Sequence, residues 1–499
     1  MSMTDPNVDR PQTLGALRAS GARALGVRDE IRSNLIRALR AGETLFPGII
    51  GYEESVVPQI TNALLARHDI LLLGLRGQAK TRIARGIAAF LDEVTPVIPG
   101  CPLRSHPLAP AGAFAERAVA EQGDDLPIGW LGRDARYGEK LATPDVSMAD
   151  LIGDIDPLKA ANEGLDLSNE EVIHFGIVPR TNRGVFAINE LPDLSPRIQV
   201  GLLNILEEQD IQVRGFPLRI PLDLLFVFTA NPEDYTNRGN IITPLKDRIA
   251  SQVLTHYPEN LESAHAITKQ EAWVERGDAA PTVVIPQFIA DIVESIAFEG
   301  RESEYVDQTS GVSARLSIAA RELLVSQVER RSLLQPGTDP IPRLVDLDQI
   351  ATAIVGKVEL VYEGEQEGAM EVARHLVGRA SQRVFDLYFP DIVSEGANDE
   401  KGHVRADRYR PVLDWFAAGN RVELSDSMSD EDYLAALSAV GGLDRVAVEF
   451  LPEAFKEAPG AAMELVLEGL HQHSMVAKED VNRGSAYSDM MGILMRGMK

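Results

Sequence analysis

The sequence predicts an α/β protein built on a parallel sheet and continued by helical regions. Three observations carry this reading. Short runs that are apolar, or apolar up to a closing threonine, occur at Ile70 to Leu73, Val185 to Ile188 and Leu224 to Thr229. Helical patterns separate them, and strand signals fade beyond about residue 260. Runs of this length are too short for helices and suit strands covered on both faces, and strands alternating with helices indicate parallel pairing.

Along the chain, the polar opening MSMTDPNVDRPQ is expected to be a disordered lead-in without signal-peptide order. Residues 13 to 46 read as helical, with Ile31, Leu35, Ile36 and Leu39 forming one stripe. A turn at Phe46-Pro47-Gly48 ends that helix, and a second runs through Val57, Ile60 and Leu64. After the first strand, Gly74 closes the run and a helix begins near Thr81 with Ile83, Ile87 and Leu91 on one face. Between the second and third strands, Ser195 and Pro196 open a helix whose apolar face is Ile198, Leu202 and Leu206. Residues 394 to 408 are polar and read as a linker or long loop, with residues 409 to 499 mostly helical after it. The expected division is a lead-in over 1–45, an α/β core over 46–258, a helical lid and extension over 259–393, and a helical region over 394–499.

Composition narrows the function. An apolar fraction of 44% with 25% charged residues is that of a globular chain able to bury a large core. No run approaches the ~18 apolar residues needed to span a bilayer, so no membrane insertion is expected. A single cysteine, Cys101, forms no internal disulfide and no thiolate cluster, which fits a reducing cytosol and a cytoplasmic protein. The nine histidines show no HExxH-like spacing, and His471-Gln472-His473 reads as a solvated helix end rather than a ligand pair. A formal net charge of −26 disfavours a nucleic-acid partner, since backbone binding relies on Lys and Arg neutralising phosphates.

The first strand runs into Gly74-Leu-Arg-Gly-Gln-Ala-Lys-Thr81, a near match to GxxxxGK[ST]. Such a loop converges backbone amides on a phosphate and aims a helix N-terminus at it. Gly74, Arg76, Gly77, Gln78, Ala79, Lys80 and Thr81 are therefore the candidate nucleotide-binding residues, with Lys80 on the β- and γ-phosphates and the Thr81 hydroxyl on Mg²⁺. Ala79 stands where the pattern has its last glycine. The second strand ends in Asn189-Glu190, where an Asp-Glu pair is usual. Glu190 fits a general base. Asn189 could hold Mg²⁺ only through bound water and without charge, so slow hydrolysis is expected. The third strand ends in Thr229-Ala-Asn231-Pro-Glu233, and Thr243-Pro-Leu-Lys-Asp-Arg248 follows.

In order, Lys80, Glu190, Asn231, Arg248 and Arg315 (in Gly311-Val-Ser-Ala-Arg315) resemble Walker A, Walker B, sensor 1, arginine finger and sensor 2 of AAA+ ATPases. Arg183-Gly-Val-Phe-Ala-Ile-Asn-Glu-Leu191, Leu245-Lys-Asp-Arg248, Gly100-Cys-Pro102 and Leu151-Ile-Gly-Asp-Ile-Asp156 are similar to signatures of the magnesium chelatase I subunit and MoxR-type group. The resemblance covers roughly residues 46 to 330. It implies an AAA+ P-loop core with a helical lid, ATP and Mg²⁺ as cofactors, and a homo-oligomeric ring, commonly hexameric. Glu190, Asn231, Arg248 and Arg315 would be catalytic, with Arg248 acting in a neighbour's site. Two insertions would mark the group, from about Gly153 to Asn182 and a hairpin over Ile211 to Pro221.

The leading expectation is a MoxR-like remodelling or metal-insertion ATPase with a von Willebrand factor A-domain partner. A magnesium chelatase I subunit motor is the first alternative. An enhancer-binding transcriptional activator is another, though Gly112-Ala-Phe-Ala-Glu-Arg117 lacks the Thr-Gly of GAFTGA. A chain that holds ATP without turning it over is a further reading, prompted by Asn189.

Overall fold

The computed structural model describes residues 10–166, 169–211, 219–232, 240–277, 281–335, 337, 339–389, 400–481 and 484–490. The chain forms two compact units, residues 1–256 and 257–499.

The first unit is built on a five-stranded parallel sheet: β1 (Ile70–Leu73), β2 (Tyr137–Leu141), β3 (Gly184–Asn189), β4 (Leu224–Ala230) and β5 (Ser251–Leu254), in the order β5-β1-β4-β3-β2. The three apolar runs are its three central strands, and every residue of β1 and β4 is buried. Burial on both faces explains why they read as continuous apolar sequence. The edge strands β2 and β5 are mixed in polarity and leave Leu141 and Leu254 exposed, so neither forms an apolar run in the sequence.

Alternate residues of the central strands feed two separate cores. Ile70, Leu72, Val185, Ala187, Leu225 and Val227 pack with α1 (Val27–Ala41), α2 (Val56–Leu65) and α3 (Lys80–Ile87). Leu71, Leu73, Phe186, Ile188, Phe226 and Phe228 pack on the other face with Ile198, Leu202 and Ile205 of α4 (Pro196–Glu208). A short helix, α5 (Thr243–Arg248), precedes β5. The helix expected across residues 13 to 46 is two helices, Leu14–Ala19 and α1, because the chain turns at Gly21 with φ +72°. Arg136, with no exposed surface, forks onto Glu30 of α1 at 2.6 and 2.7 Å, and so ties that helix to the approach to β2.

The insertion near Gly153 contains an antiparallel pair, Gly153–Ile155 with Ile173–Phe175. The expected hairpin over 211–221 has a paired stem, Ile211 opposite Ile220, and its tip lies outside the described residues.

The second unit is mainly helical, around α6 (Gln287–Glu302), α7 (Arg315–Leu334), α8 (Ala369–Tyr388) and α9 (Pro459–Gln472). One extensive core joins Phe288, Ile292, Leu316, Leu376, Phe385, Leu465 and Tyr487. Two expectations need correction here. Residues 400–408 belong to a helix, Glu400–Ala417, rather than a loop. A three-stranded antiparallel sheet also forms, from β6 (Val422–Ser425), β7 (Ala477–Val481) and β8 (Gly484–Ser488), ordered β6-β8-β7. Its short strands mix polar and apolar residues and contain no apolar run to announce them. Among the described residues, no helix is long and apolar enough to cross a membrane.

Candidate functional site: the loop after the first strand

The carboxyl ends of β1, β3 and β4 lie side by side in the sheet, so whatever follows each strand meets at one edge. After β1 the chain turns tightly: the Gly74 amide donates to Ala230 O at 3.1 Å. Gly74 has no room for a side chain. A Cβ there would lie 2.0 Å from Thr255 Oγ1 and 2.2 Å from Gln78 Oε1. Gly77 has φ +76° and Ala79 has φ +56°, both left-handed. Ala79 therefore accepts the conformation its pattern reserves for glycine, at a cost of about 1–2 kcal/mol. The helix α3 begins directly afterwards, and among the described residues no side chain caps its first amides. Left-handed residues leading into an uncapped helix N-terminus turn amides toward one point, the arrangement that holds an anion.

Lys80 is nearly buried, with 7% of its surface exposed. Its ammonium donates to Gly74 O, to Leu75 O at 3.0 Å and to Asn231 Oδ1 at 2.6 Å. The Asn231 amide in turn donates to Glu190 Oε2 at 3.0 Å. Residues from three separate strand ends thus form one chain, ammonium to amide to carboxylate. The charges at the two ends fix the amide's orientation: its oxygen faces a donor, its nitrogen an acceptor. Glu190 itself is left-handed, with φ 57° and ψ 50°, and its amide donates to Thr229 Oγ1 at 3.1 Å. The Thr229 hydroxyl makes a long 3.4 Å contact to Asn189 Oδ1, so both residues at the end of β3 are positioned from β4.

Not all candidate residues join this cluster. Gln78 is buried and turned inward, its Oε1 accepting from the Thr255 hydroxyl at 2.7 Å and its carbonyl from Tyr52 at 3.1 Å. Arg76 and Thr81 are half-buried beside the loop. Arg248 closes α5 and donates from Nε and Nη2 to Glu207 Oε2 of α4 at 2.8 and 2.6 Å. Arg315 is exposed at the first position of α7, in the second unit. Glu233 lies outside the described residues. The two histidines at the end of α9 take different partners: His471 bonds Val476 O at 3.1 Å and His473 bonds Asp386 at 2.6 Å, so they form no ligand pair. Cys101 is buried, and burial pushes its thiol up, which makes it an inert core residue rather than a nucleophile.

No protein-family model matches the chain. It is 25% identical over 252 residues to the magnesium-chelatase 38 kDa subunit of Rhodobacter capsulatus, a match covering 49% of this chain and 64% of that protein. The chain is thus distantly similar to that subunit over about half of its own length, and it spans less than two thirds of the subunit. A shorter match, 32% over 87 residues, is to the hydrogenase transcriptional regulatory protein HoxA of Cupriavidus necator, covering 17% of this chain and 18% of HoxA. Among solved structures, the complex of magnesium chelatase subunits BchI and BchD aligns at 20% identity and TM-score 0.35, covering 64% of this chain and 98% of that one.

The residues not foreseen from sequence are the buttresses of the loop. Tyr52 bonds both Gln78 O and His256 O, the latter at 2.6 Å, and Thr255 holds Gln78. Tyr52 lies before β1 and Thr255 follows β5, so only the folded sheet brings them together. Thr229 carried a signal, a hydroxyl two residues before Asn231, and its role is to seat the Asn189-Glu190 turn.

Proposed function

We propose that this chain is a MoxR-like AAA+ ATPase that binds ATP with Mg²⁺ at the Gly74–Thr81 loop and hydrolyses it within a homo-oligomeric ring. The observation that carries the reading is the Lys80–Asn231–Glu190 chain, which couples a phosphate-binding ammonium to a general base through a single amide. The loop suits a triphosphate: its helix start lacks a side-chain cap among the described residues, and a buried lysine is held beside it by the Gly74 and Leu75 carbonyls and the Asn231 amide oxygen. When bound, ATP and Mg²⁺ supply the transferable phosphoryl group and a cation that neutralises its charge. Lys80 exchanges its carbonyl partners for phosphate oxygens. Asn231, released from the ammonium, orients the water from which Glu190 accepts a proton.

Asn189 brings an amide oxygen but no charge to the metal side, so metal affinity is weak and turnover slow. Arg248 serves a neighbouring subunit, leaving Glu207 as the ring closes; an exposed pair of this kind is worth only about 0–1 kcal/mol, a small barrier to exchange. Arg315 is the candidate sensor 2 residue of the same reading. Coupling to a client, through remodelling or metal insertion with a von Willebrand factor A-domain partner, belongs to the same reading, as does a cytoplasmic location. A motor subunit for magnesium insertion into protoporphyrin is the second reading, favoured by the 252-residue match to the chelatase subunit.

The test is steady-state ATP hydrolysis over a protein concentration series, beside Lys80→Ala and Arg248→Ala. Specific activity that rises with concentration and disappears in both variants supports a ring with a finger supplied in trans. Activity that is independent of concentration and survives Arg248→Ala overturns the ring mechanism. Nucleotide binding unaffected by Lys80→Ala overturns the site.

A further inference from the structure

The second unit contains a half-open cavity of about 460 Å³ that the ATPase reading does not use. It lies among α8, α9, β7 and the helical turn Leu344–Ile350, and its charge is lopsided. Five carboxyls line it against two permanent cations, Arg374 and Lys478. Most of that charge is already matched. Glu468 accepts from the Lys478 ammonium, the Tyr487 hydroxyl and the Gln472 amide, each at 2.9 Å. Arg374 lies 3.0 Å from Glu371 and 4.0 Å from Asp480 at the mouth.

Two acids remain. Glu464 is 1% exposed; its Oε2 accepts from the Tyr433 hydroxyl and from the Leu344 amide at 2.9 Å. Its Oε1 has no hydrogen-bond partner among the described residues and belongs to the cavity lining. Half-buried Asp348 lines the same cavity, and its carboxyl likewise has no hydrogen-bond partner among the described residues. Both acceptors open onto the cavity rather than into protein, so the site is complementary to a donor. An ammonium offers three donors, no acceptor and the missing positive charge. An anion would face the acidic lining, and a neutral polyol would leave the charge unmatched. Among the described residues, no group of three His, Cys, Asp or Glu side chains could hold a metal ion.

We propose that this cavity is a binding site for a short aliphatic diamine, whose ammonium groups take the acceptor positions left open on Glu464 and Asp348. The site lies wholly within the second unit and is independent of the nucleotide reading. Burial raises the Glu464 carboxyl to about 7, and Asp348 is raised as well. Binding a cation favours the ionised acid, so binding releases protons near neutral pH and tightens as pH rises from 6 to 8. The groups facing Glu464 are Tyr433, Lys478, Asp346 and Glu468. Tyr433 and Lys478 are both pushed above their ordinary values and Glu468 is held down near 2, so none of these three titrates in that window. Asp346 is held by Arg331 and by the Arg343 amide at 2.8 Å. His375 and His471 also line the cavity.

The test is calorimetric titration of the full chain with 1,4-diaminobutane at pH 8 and physiological salt, which screens diffuse attraction to an acidic surface. One saturable site per chain is expected, with butane-1,4-diol giving no heat. Glu464→Gln and Asp348→Asn should each weaken binding at least ~10-fold while far-UV spectra stay unchanged, since a charge-assisted hydrogen bond is worth at least that factor. Glu464→Gln should also flatten the pH dependence. No saturable heat, equal affinity in both folded variants, or binding of inorganic phosphate in preference to the diamine would each overturn the proposal.

Discussion

A single methyl at Gly74 would enter the phosphate loop where there is no room for a side chain. In Gly74→Ala the new Cβ meets Thr255 Oγ1 at 2.0 Å and Gln78 Oε1 at 2.2 Å, the two ends of one 2.7 Å hydrogen bond. Both atoms must retreat by about 1 Å to reach van der Waals contact, which breaks that bond and shifts the loop. Overpacking costs about 1–3 kcal/mol and the lost buried hydrogen bond about 0.5–1.5, giving a destabilisation of roughly 2–4 kcal/mol. Amide hydrogen exchange at Ile70 to Leu73 reads this for the first unit alone. Thr255→Ala by itself should cost about 1 kcal/mol through the stranded Gln78. Combined with Gly74→Ala it removes the worst contact, so the double variant should fall short of the sum by about 1–2 kcal/mol. Strict additivity, or wild-type protection in Gly74→Ala, would show that the loop is not braced against Thr255.

Four other outcomes follow from the geometry. Ala79→Gly relieves a left-handed alanine but enlarges the unfolded ensemble, so it should stabilise the first unit by no more than about 1 kcal/mol, whereas Ala79→Val should lower its melting temperature. Arg136→Met leaves Glu30 buried without its cation and should cost about 3–5 kcal/mol in urea unfolding; adding Glu30→Gln should recover part of that. Asn189→Asp should lower the Mg²⁺ concentration needed for ATP turnover about 10-fold, because a charged acceptor strengthens the hydrogen bonds from metal-bound water; an unchanged requirement would remove Asn189 from the metal side. Glu464 has a folded-state pKa raised to about 7, above the ordinary 4.5, so its contribution is fully present below the ordinary value and is lost as pH rises through 7. Melting of the second unit should fall between pH 5 and 8, and Glu464→Gln should reduce that slope.

The parts of the fold legible in the sequence were those whose burial is two-sided. Ile70 to Leu73 and Leu224 to Ala230 have no polar face, so composition alone marked them. Tyr137–Leu141 and Ser251–Leu254 lie at the sheet edges, where one flank is unpaired and polar residues are tolerated, and they went unmarked. The site divides in the same way. Lys80, Glu190 and Asn231 each follow a marked strand, and parallel pairing forces their ends together. Tyr52 and Thr255 brace the loop from positions whose only signal is tertiary. Ala79 showed as a departure from pattern in the sequence, but its left-handed backbone needed coordinates.

Strand order has a consequence for how this protein is made. β1 is the first sheet strand to leave the ribosome, yet its two neighbours are β4 and β5: Ile70 pairs with Val227 on one side and Ser251 on the other. At about 5–20 residues per second, an apolar strand that will be central in the sheet waits roughly 8–30 s before its first partner exists. During that interval Ile-Leu-Leu-Leu and its amides have only nascent helices for company. β2, β3 and β4 can pair in the order they emerge, but β1 must wait for β4, so slowing translation would prolong its exposure rather than guide it.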